Sequence, residues 1–127
     1  MKKMILALAA TSVLALANDT TVSATMSLMT QGMNQIQAGF LYSNKEDIAA
    51  GITVLENANA IFANVDVSHF IKNNNKVQVT HNINKNVDKN IKALKKAVVA
   101  DNYTDATREY GELTANCIAC HKIVRGW

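Results

Sequence analysis

Apolar residues recur at steps of three and four along most of the chain, the spacing that places side chains on one face of an α-helix. The first such face consists of Met26, Met29, Met33, Ile36 and Phe40. The second consists of Ile48, Ile52, Leu55 and Phe62. The third consists of Val79, Ile83, Val87, Ile91, Leu94 and Val98, all expected to point inward. A fourth helix is predicted from about Tyr103 to Val124, and no stretch has the alternation typical of a strand.

Polar segments separate these helices. Asn44 is a candidate N-cap of the second helix, with Asp47 as its third-position partner. From Asn64 to Asn75 the pattern is polar and irregular, and Asn73-Asn74-Asn75 is the clearest loop signal. Ala100-Asp101-Asn102 predicts a short turn before the last helix, and Asp101 and Asn102 are both good cap residues. Four amphipathic helices with short connections predict an all-α, antiparallel up-down-up-down four-helix bundle.

The N-terminal segment has the features of a cleavable signal peptide. Lys2 and Lys3 precede an apolar run from Met4 to Leu14, and Ala15-Leu16-Ala17 is a small-x-small cleavage signal. We therefore expect residues 1–17 to be removed and residues 18–127 to form a single exported domain. The apolar run is short for a membrane span, which needs about 20 residues.

The charge balance of the chain gives no indication of a strongly charged partner, and the composition excludes few other functions. Removing Lys2 and Lys3 lowers the 13 basic residues of the chain to 11, against 10 acidic residues. Such a balance gives no reason to expect a nucleic acid as partner. The sequence also contains no paired-carboxylate, nucleophile–base or phosphate-loop pattern, so we do not expect an enzyme.

The chemistry of the chain is concentrated in Cys117-Ile118-Ala119-Cys120-His121. Two thiols three positions apart, followed directly by an imidazole, form the attachment motif of a c-type haem. The two sulfurs can add to the vinyl groups of haem, and the histidine can donate a ring nitrogen to the iron. Cys117 and Cys120 are the only cysteines. One motif predicts one covalently attached haem c per chain, with the haem near the end of the fourth helix.

Two other interpretations of the motif stay open. A Cys-x-x-Cys pair can act as a redox dithiol, although that motif belongs in a βαβ setting. It can also provide half of a structural zinc site, which needs two more ligands. His69 and His81 are the only other histidines, and they have no regular spacing to the cysteines. We expect both to be surface residues.

A haem motif at the end of the last helix of a four-helix bundle resembles the cytochrome c-prime superfamily, including its low-spin, methionine-ligated relatives. The resemblance is most specific in helix four. There Ala100-Asp101-Asn102-Tyr103, Tyr110-Gly111, Leu113 and the motif follow the order of the family. In the first three helices only the apolar pattern matches. Thr20-Thr21-Val22-Ser23, where the family often has an arginine, contains no basic residue.

The resemblance implies the ligands of the iron. His121 would be the proximal ligand, and the spacing of the first helix places Met26 at the distal position, with Met29 as the fallback. A methionine stripe at helical spacing is also an ordinary core pattern. Arg125 matches a basic residue that the family carries beside the haem. Four residues after His121, it shares a helix face with that ligand, and it also complements the helix dipole.

The sequence thus predicts a periplasmic monohaem cytochrome that carries single electrons through a His/Met-ligated haem and exchanges them with periplasmic or membrane redox proteins. The alternative within the same superfamily is a five-coordinate protein that binds nitric oxide or carbon monoxide. A haem-free thiol–disulfide or metal-binding protein is a third hypothesis. Relatives often dimerise through the first two helices, so a homodimer is possible. The small residues available there are Ala49, Ala50, Ala58 and Ala60.

Overall fold

The computed structural model of the chain contains four α-helices and no strand among residues 2–126. The helices are α1 (Lys2–Leu41), α2 (Lys45–Phe62), α3 (Asn74–Val99) and α4 (Tyr103–Arg125). A short 3₁₀ helix, Val67–His69, lies between α2 and α3. Side chains are described for residues 20–126 only, so the predicted signal peptide and its cleavage site after Ala17 lie outside the residues whose side chains are described. The all-α, four-helix prediction is confirmed.

Asparagine caps begin α2 and α4 as the sequence predicts. The Oδ1 of Asn44 accepts a hydrogen bond from the backbone N–H of Asp47 at 3.2 Å. In return the Asn44 Nδ2 donates to the Asp47 carboxylate at 2.8 Å. The Oδ1 of Asn102 likewise accepts from the N–H of Asp105 at 3.1 Å. These bonds satisfy backbone donors that the first helical turn leaves unpaired.

The start of α3 differs from the prediction. Asn73 is its N-cap, and its Oδ1 accepts from the N–H groups of Asn75 at 2.9 Å and of Lys76 at 3.2 Å. The helix therefore begins at Asn74, and the prediction of a loop through Asn74 and Asn75 was wrong. Asparagines favour both loops and caps, and here the first of the three caps a helix that contains the other two.

α1 and α2 pack closely because glycines lie at their contact. A Cβ atom on Gly51 would be 2.8 Å from the carbonyl oxygen of Gly32 and 2.8 Å from the backbone nitrogen of Ile36. A Cβ atom on Gly39 would be 2.7 Å from the backbone nitrogen of Ile48. Such distances leave no space for a side chain, so the two backbones touch directly.

The main core is formed by all four helices. Its fully buried members include Ile36, Leu55, Ile91, Leu94 and Leu113. The inward pattern predicted for α3 is wrong at Val79, which is 42 % exposed. Its neighbour Thr80 is buried instead, and the Thr80 hydroxyl donates to the carbonyl oxygen of Lys76 at 2.8 Å.

A second, smaller apolar cluster lies under the segment that joins α2 to α3. Its buried members are Phe62, Val65, Val67 and Ile71. Met26 and Met29 of α1 pack against it as half-buried residues. The connection between α2 and α3 is therefore anchored to the part of α1 that contains the candidate iron ligands. Among the described residues, no helix has the length and apolar character needed to span a membrane.

Candidate functional site

The Cys-x-x-Cys-His motif lies in the C-terminal half of α4, which ends at Arg125 and is followed by Gly126 in the left-handed conformation. Residues three apart on a helix share a face, so Cys117 and Cys120 lie on the same side of α4. Both cysteines are free and half-buried, and His121 is also half-buried. The structure thus presents two unlinked thiols and an imidazole within one and a half turns of helix.

A cavity between the four helices is bordered by both cysteines and by His121; we call it the four-helix cavity. The opposite wall consists of apolar and thioether side chains from α1, α2 and α3, with one pair of amides. Its full lining is Met26, Met29, Leu55, Asn59, Phe62, Ile83, Asn84, Val87, Cys117, Cys120 and His121.

A second cavity of about 250 Å³ lies between α1 and α4 and shares several of these side chains; we call it the α1–α4 cavity. It is lined by Met26, Met29, Thr30, Met33, Tyr110, Thr114, Cys117, Ile118 and His121. Near its limit the Tyr110 hydroxyl donates to the carbonyl oxygen of Met33 at 3.5 Å, and its ring meets that of Phe40 edge-on at 5.7 Å. Both cavities therefore have Met26, Met29, Cys117 and His121 in their walls.

The methionines of α1 are not equivalent at this site. Met26 and Met29 line both cavities, whereas Met33 lines only the α1–α4 cavity. The structure therefore brings the predicted distal residue and its fallback to the same site as His121 and both cysteines. Met26 packs only against the second cluster, and Met29 packs against both apolar clusters.

The environment of the two thiols raises their pKa values. Burial is the main cause of the raised pKa at Cys117, and the neighbouring Cys120 adds to it. Burial alone raises the pKa of Cys120. Redox-active dithiols depend on a lowered pKa, which is typical of helix N-termini and cationic surroundings. This pair lies near the C-terminal end of α4, where the helix dipole disfavours a thiolate.

The other candidate residues lie away from the cavities. His69 is exposed on the 3₁₀ helix, with its Nε2 3.7 Å from the Asp66 carboxylate, and His81 is exposed on α3. Arg125 is exposed at the last position of α4 and lines neither cavity. The structure brings Cys117, Cys120, His121, Met26 and Met29 together and leaves Arg125 at the surface.

One polar pair in the cavity wall was not predicted. Asn59 is only 3 % exposed, and its Oδ1 accepts a hydrogen bond from the Nδ2 of Asn84 at 2.8 Å. A signal was present in the sequence, because position 59 continues the stripe of Leu55 and Phe62 on α2. An asparagine in such a stripe indicates a buried polar contact.

A further cavity of about 440 Å³ lies near the turn between α1 and α2, lined by Gly39, Phe40, Ser43, Ile48, Tyr103 and Thr107. It contains none of the candidate residues. Within residues 20–126, no group of three or more His, Cys, Asp or Glu side chains is placed to hold a metal ion. Comparison of the chain with protein-family models, with curated proteins and with solved structures finds no match.

Proposed function

We propose that this protein is an exported monohaem c-type cytochrome that carries single electrons, with haem c attached to Cys117 and Cys120 and ligated by His121 and Met26. The observation that carries the proposal is the composition of the four-helix cavity. Both thiols and the imidazole lie on one wall, and the thioethers of Met26 and Met29 lie on another. Two thiols, an imidazole and a thioether are the donor set of a His/Met cytochrome c.

The remaining walls match a haem in chemistry. The side chains of Leu55, Phe62, Ile83 and Val87 are apolar, as the flat face of a porphyrin requires. The four-helix cavity itself encloses about 40 Å³, so an attached haem would extend into the α1–α4 cavity of about 250 Å³ and move the surrounding helices apart. When bound, haem would provide an iron that changes oxidation state by one electron. The protein residues would hold that iron between imidazole and thioether, and the apolar walls would exclude water. Burial and ligand identity both tune the reduction potential of such a centre.

The bundle is proposed to have up-down-up-down topology. Along α1 and α2 the contacts run in opposite order, since Gly32 approaches Leu55 whereas Gly39 approaches Ile48. Along α1 and α4, the ring of Phe40 meets Tyr110, whereas Met26 shares its cavities with His121. This order supports antiparallel neighbours, and a haem attached to Cys117 and Cys120 would then lie near the end of α4.

Absorption spectra of the purified protein, expressed with haem-attachment machinery, test the proposal. We expect sharp, split visible bands in the reduced form and a thioether-to-iron charge-transfer band in the oxidised form. Carbon monoxide should leave the reduced spectrum unchanged. A colourless product would refute the proposal and would support the hypothesis of a haem-free thiol protein.

The distal ligand is tested by two matched variants. Met26→Ala should abolish the charge-transfer band and create carbon monoxide binding, whereas Met29→Ala should leave both properties as in the wild type. The two side chains occupy the same cavities, so each controls for the loss of packing in the other. If Met29→Ala rather than Met26→Ala had these effects, Met29 would be assigned as the distal ligand.

A five-coordinate, gas-binding haem protein is the second candidate. It is favoured by the packing of Met26 and Met29 against the second apolar cluster, because core packing alone can account for methionines there. In that case the reduced wild type would show broad high-spin bands and would bind carbon monoxide at neutral pH.

Export and partners follow from the same proposal. Cleavage after Ala17 would leave a periplasmic protein that begins at Asn18, and N-terminal sequencing of the coloured product tests this. Redox proteins of the periplasm or membrane would then be its partners. A homodimer through α1 and α2 would have Ala49, Ala50 and Ala60 available at the surface, but not Ala58, which is fully buried.

A further inference from the structure

The unexplained group at the site is the side-chain amide of Asn59. It is 3 % exposed, and it lines the four-helix cavity together with Met26, Met29 and His121. Its Oδ1 is bonded to Asn84, but among the described residues its Nδ2 donates to no protein acceptor. A buried amide donor without a partner is costly and uncommon in a folded protein. Such a group calls for an acceptor within the cavity.

The position of Asn59 along the bundle narrows the choice of acceptor. Gly32 lies between Gly51 and Leu55 where α1 and α2 touch, and Asn59 is about six residues beyond that point along α2. Met26 is six residues back from Gly32 along α1. Because the contacts run in opposite order, Asn59 lies at about the level of Met26, and both residues line the four-helix cavity.

Asn84 fixes the direction of this donor. The bond from the Asn84 Nδ2 to the Asn59 Oδ1 is 2.8 Å long and joins α2 to α3. With its oxygen held in this way, the Asn59 amide cannot rotate freely, and its nitrogen keeps one orientation. No lysine or arginine lines either cavity, so the amide pair is the polar feature of this wall.

We propose that Asn59, oriented by Asn84, donates a hydrogen bond to the sulfur of the distal methionine and so holds that ligand on the iron. This inference rests on the proposed function. Asn59 is then a positioning residue, because it acts on the iron through the methionine. Outer hydrogen bonds of this kind orient the ligands of metal centres, and their loss typically weakens the metal site about 10- to 100-fold.

The test is the competition of added imidazole for the sixth position of the oxidised haem. Asn59→Leu keeps the approximate size of the side chain and removes the donor. We expect the variant to bind imidazole about tenfold more tightly than the wild type, with a weaker thioether-to-iron band. Asn57→Leu is the matched control: it is the same change two residues away on α2, at an exposed position, and it should leave both readouts unchanged.

Asn84→Leu provides a second route to the same question if the first variant does not fold. It leaves the Asn59 donor in place but frees its oxygen, so imidazole should again bind more tightly, by a smaller factor.

A coloured, folded Asn59→Leu protein with wild-type imidazole affinity and an unchanged band would overturn the inference and leave the His/Met proposal standing. If the wild type had an open distal site, no methionine sulfur on the iron would accept the hydrogen bond, and the inference would be overturned. A colourless wild type would refute both proposals.

Discussion

The close contact between α1 and α2 makes Gly51→Ala the most informative perturbation of the fold. The added Cβ would be 2.8 Å from the Gly32 carbonyl oxygen and 2.8 Å from both the backbone nitrogen and the Cγ1 of Ile36. Two of these three atoms belong to the backbone and cannot rotate away. The helices must therefore separate, and α1 contains the methionines of the proposed site.

The expected magnitude combines two opposing effects. Overpacking a well-packed contact costs about 1–3 kcal/mol. Replacing glycine by alanine inside a helix contributes about 0.5–1 kcal/mol in the other direction. Because the clash involves backbone on both sides, we take the upper part of the first range. Gly51→Ala should then lower the free energy of unfolding by about 1–2.5 kcal/mol.

Urea unfolding followed by far-ultraviolet circular dichroism measures this difference. Gly111→Ala is the matched control, because Gly111 lies in α4 with no atom within 4 Å of an added Cβ. The control should raise the free energy of unfolding by about 0.5–1 kcal/mol through helix propensity alone. If Gly51→Ala were as stable as Gly111→Ala, the close approach of α1 and α2 would be refuted.

Four further outcomes are expected. Leu113→Ala, at a fully buried position of α4, should lower the free energy of unfolding by about 2–5 kcal/mol in the same urea assay. The hydrogen bond from Lys45 holds the pKa of Asp101 below its ordinary value, so this carboxylate stabilises the fold above its unfolded-state pKa and loses that effect as the pH falls through its folded-state value. The stability difference between wild type and Asp101→Asn should therefore disappear in acid, and urea titrations at several pH values measure it. Met33→Ala should leave the charge-transfer band unchanged, because Met33 is absent from the wall that contains Cys120. Arg125→Gln should change the reduction potential by electrochemical titration only slightly, since the guanidinium is exposed and solvent screens its charge.

Local features of this fold could be predicted from the sequence because their causes are local. The apolar spacing of α1 and α2 depends only on helical geometry, and the caps at Asn44 and Asn102 depend on a side chain and a backbone group three residues apart. The candidate haem residues Cys117 to His121 form a contiguous motif. The hypothesis of haem attachment therefore needs no knowledge of the fold.

The remaining features depend on neighbours that are distant in the sequence. Val79 and Thr80 are adjacent on α3, and only the packing of the other helices decides which of them is buried. The bond between Asn59 and Asn84 joins residues 25 positions apart, so neither asparagine indicates its partner. Asn73 shows a related ambiguity, because an asparagine run favours both a loop and a cap.

Met26 belongs both to a cavity wall and to an apolar cluster, and for this reason sequence reasoning alone leaves its role open. It lines the cavity that contains His121, and it also packs against the cluster beneath the segment between α2 and α3. These roles are compatible, because a distal ligand must be held in place through a change in the charge of the iron. Packing against Phe62 and its neighbours would restrict the methionine, and a donor from Asn59 would fix its sulfur. Core packing at this position is therefore compatible with both candidate functions, and under ligation it is the support that a distal ligand needs.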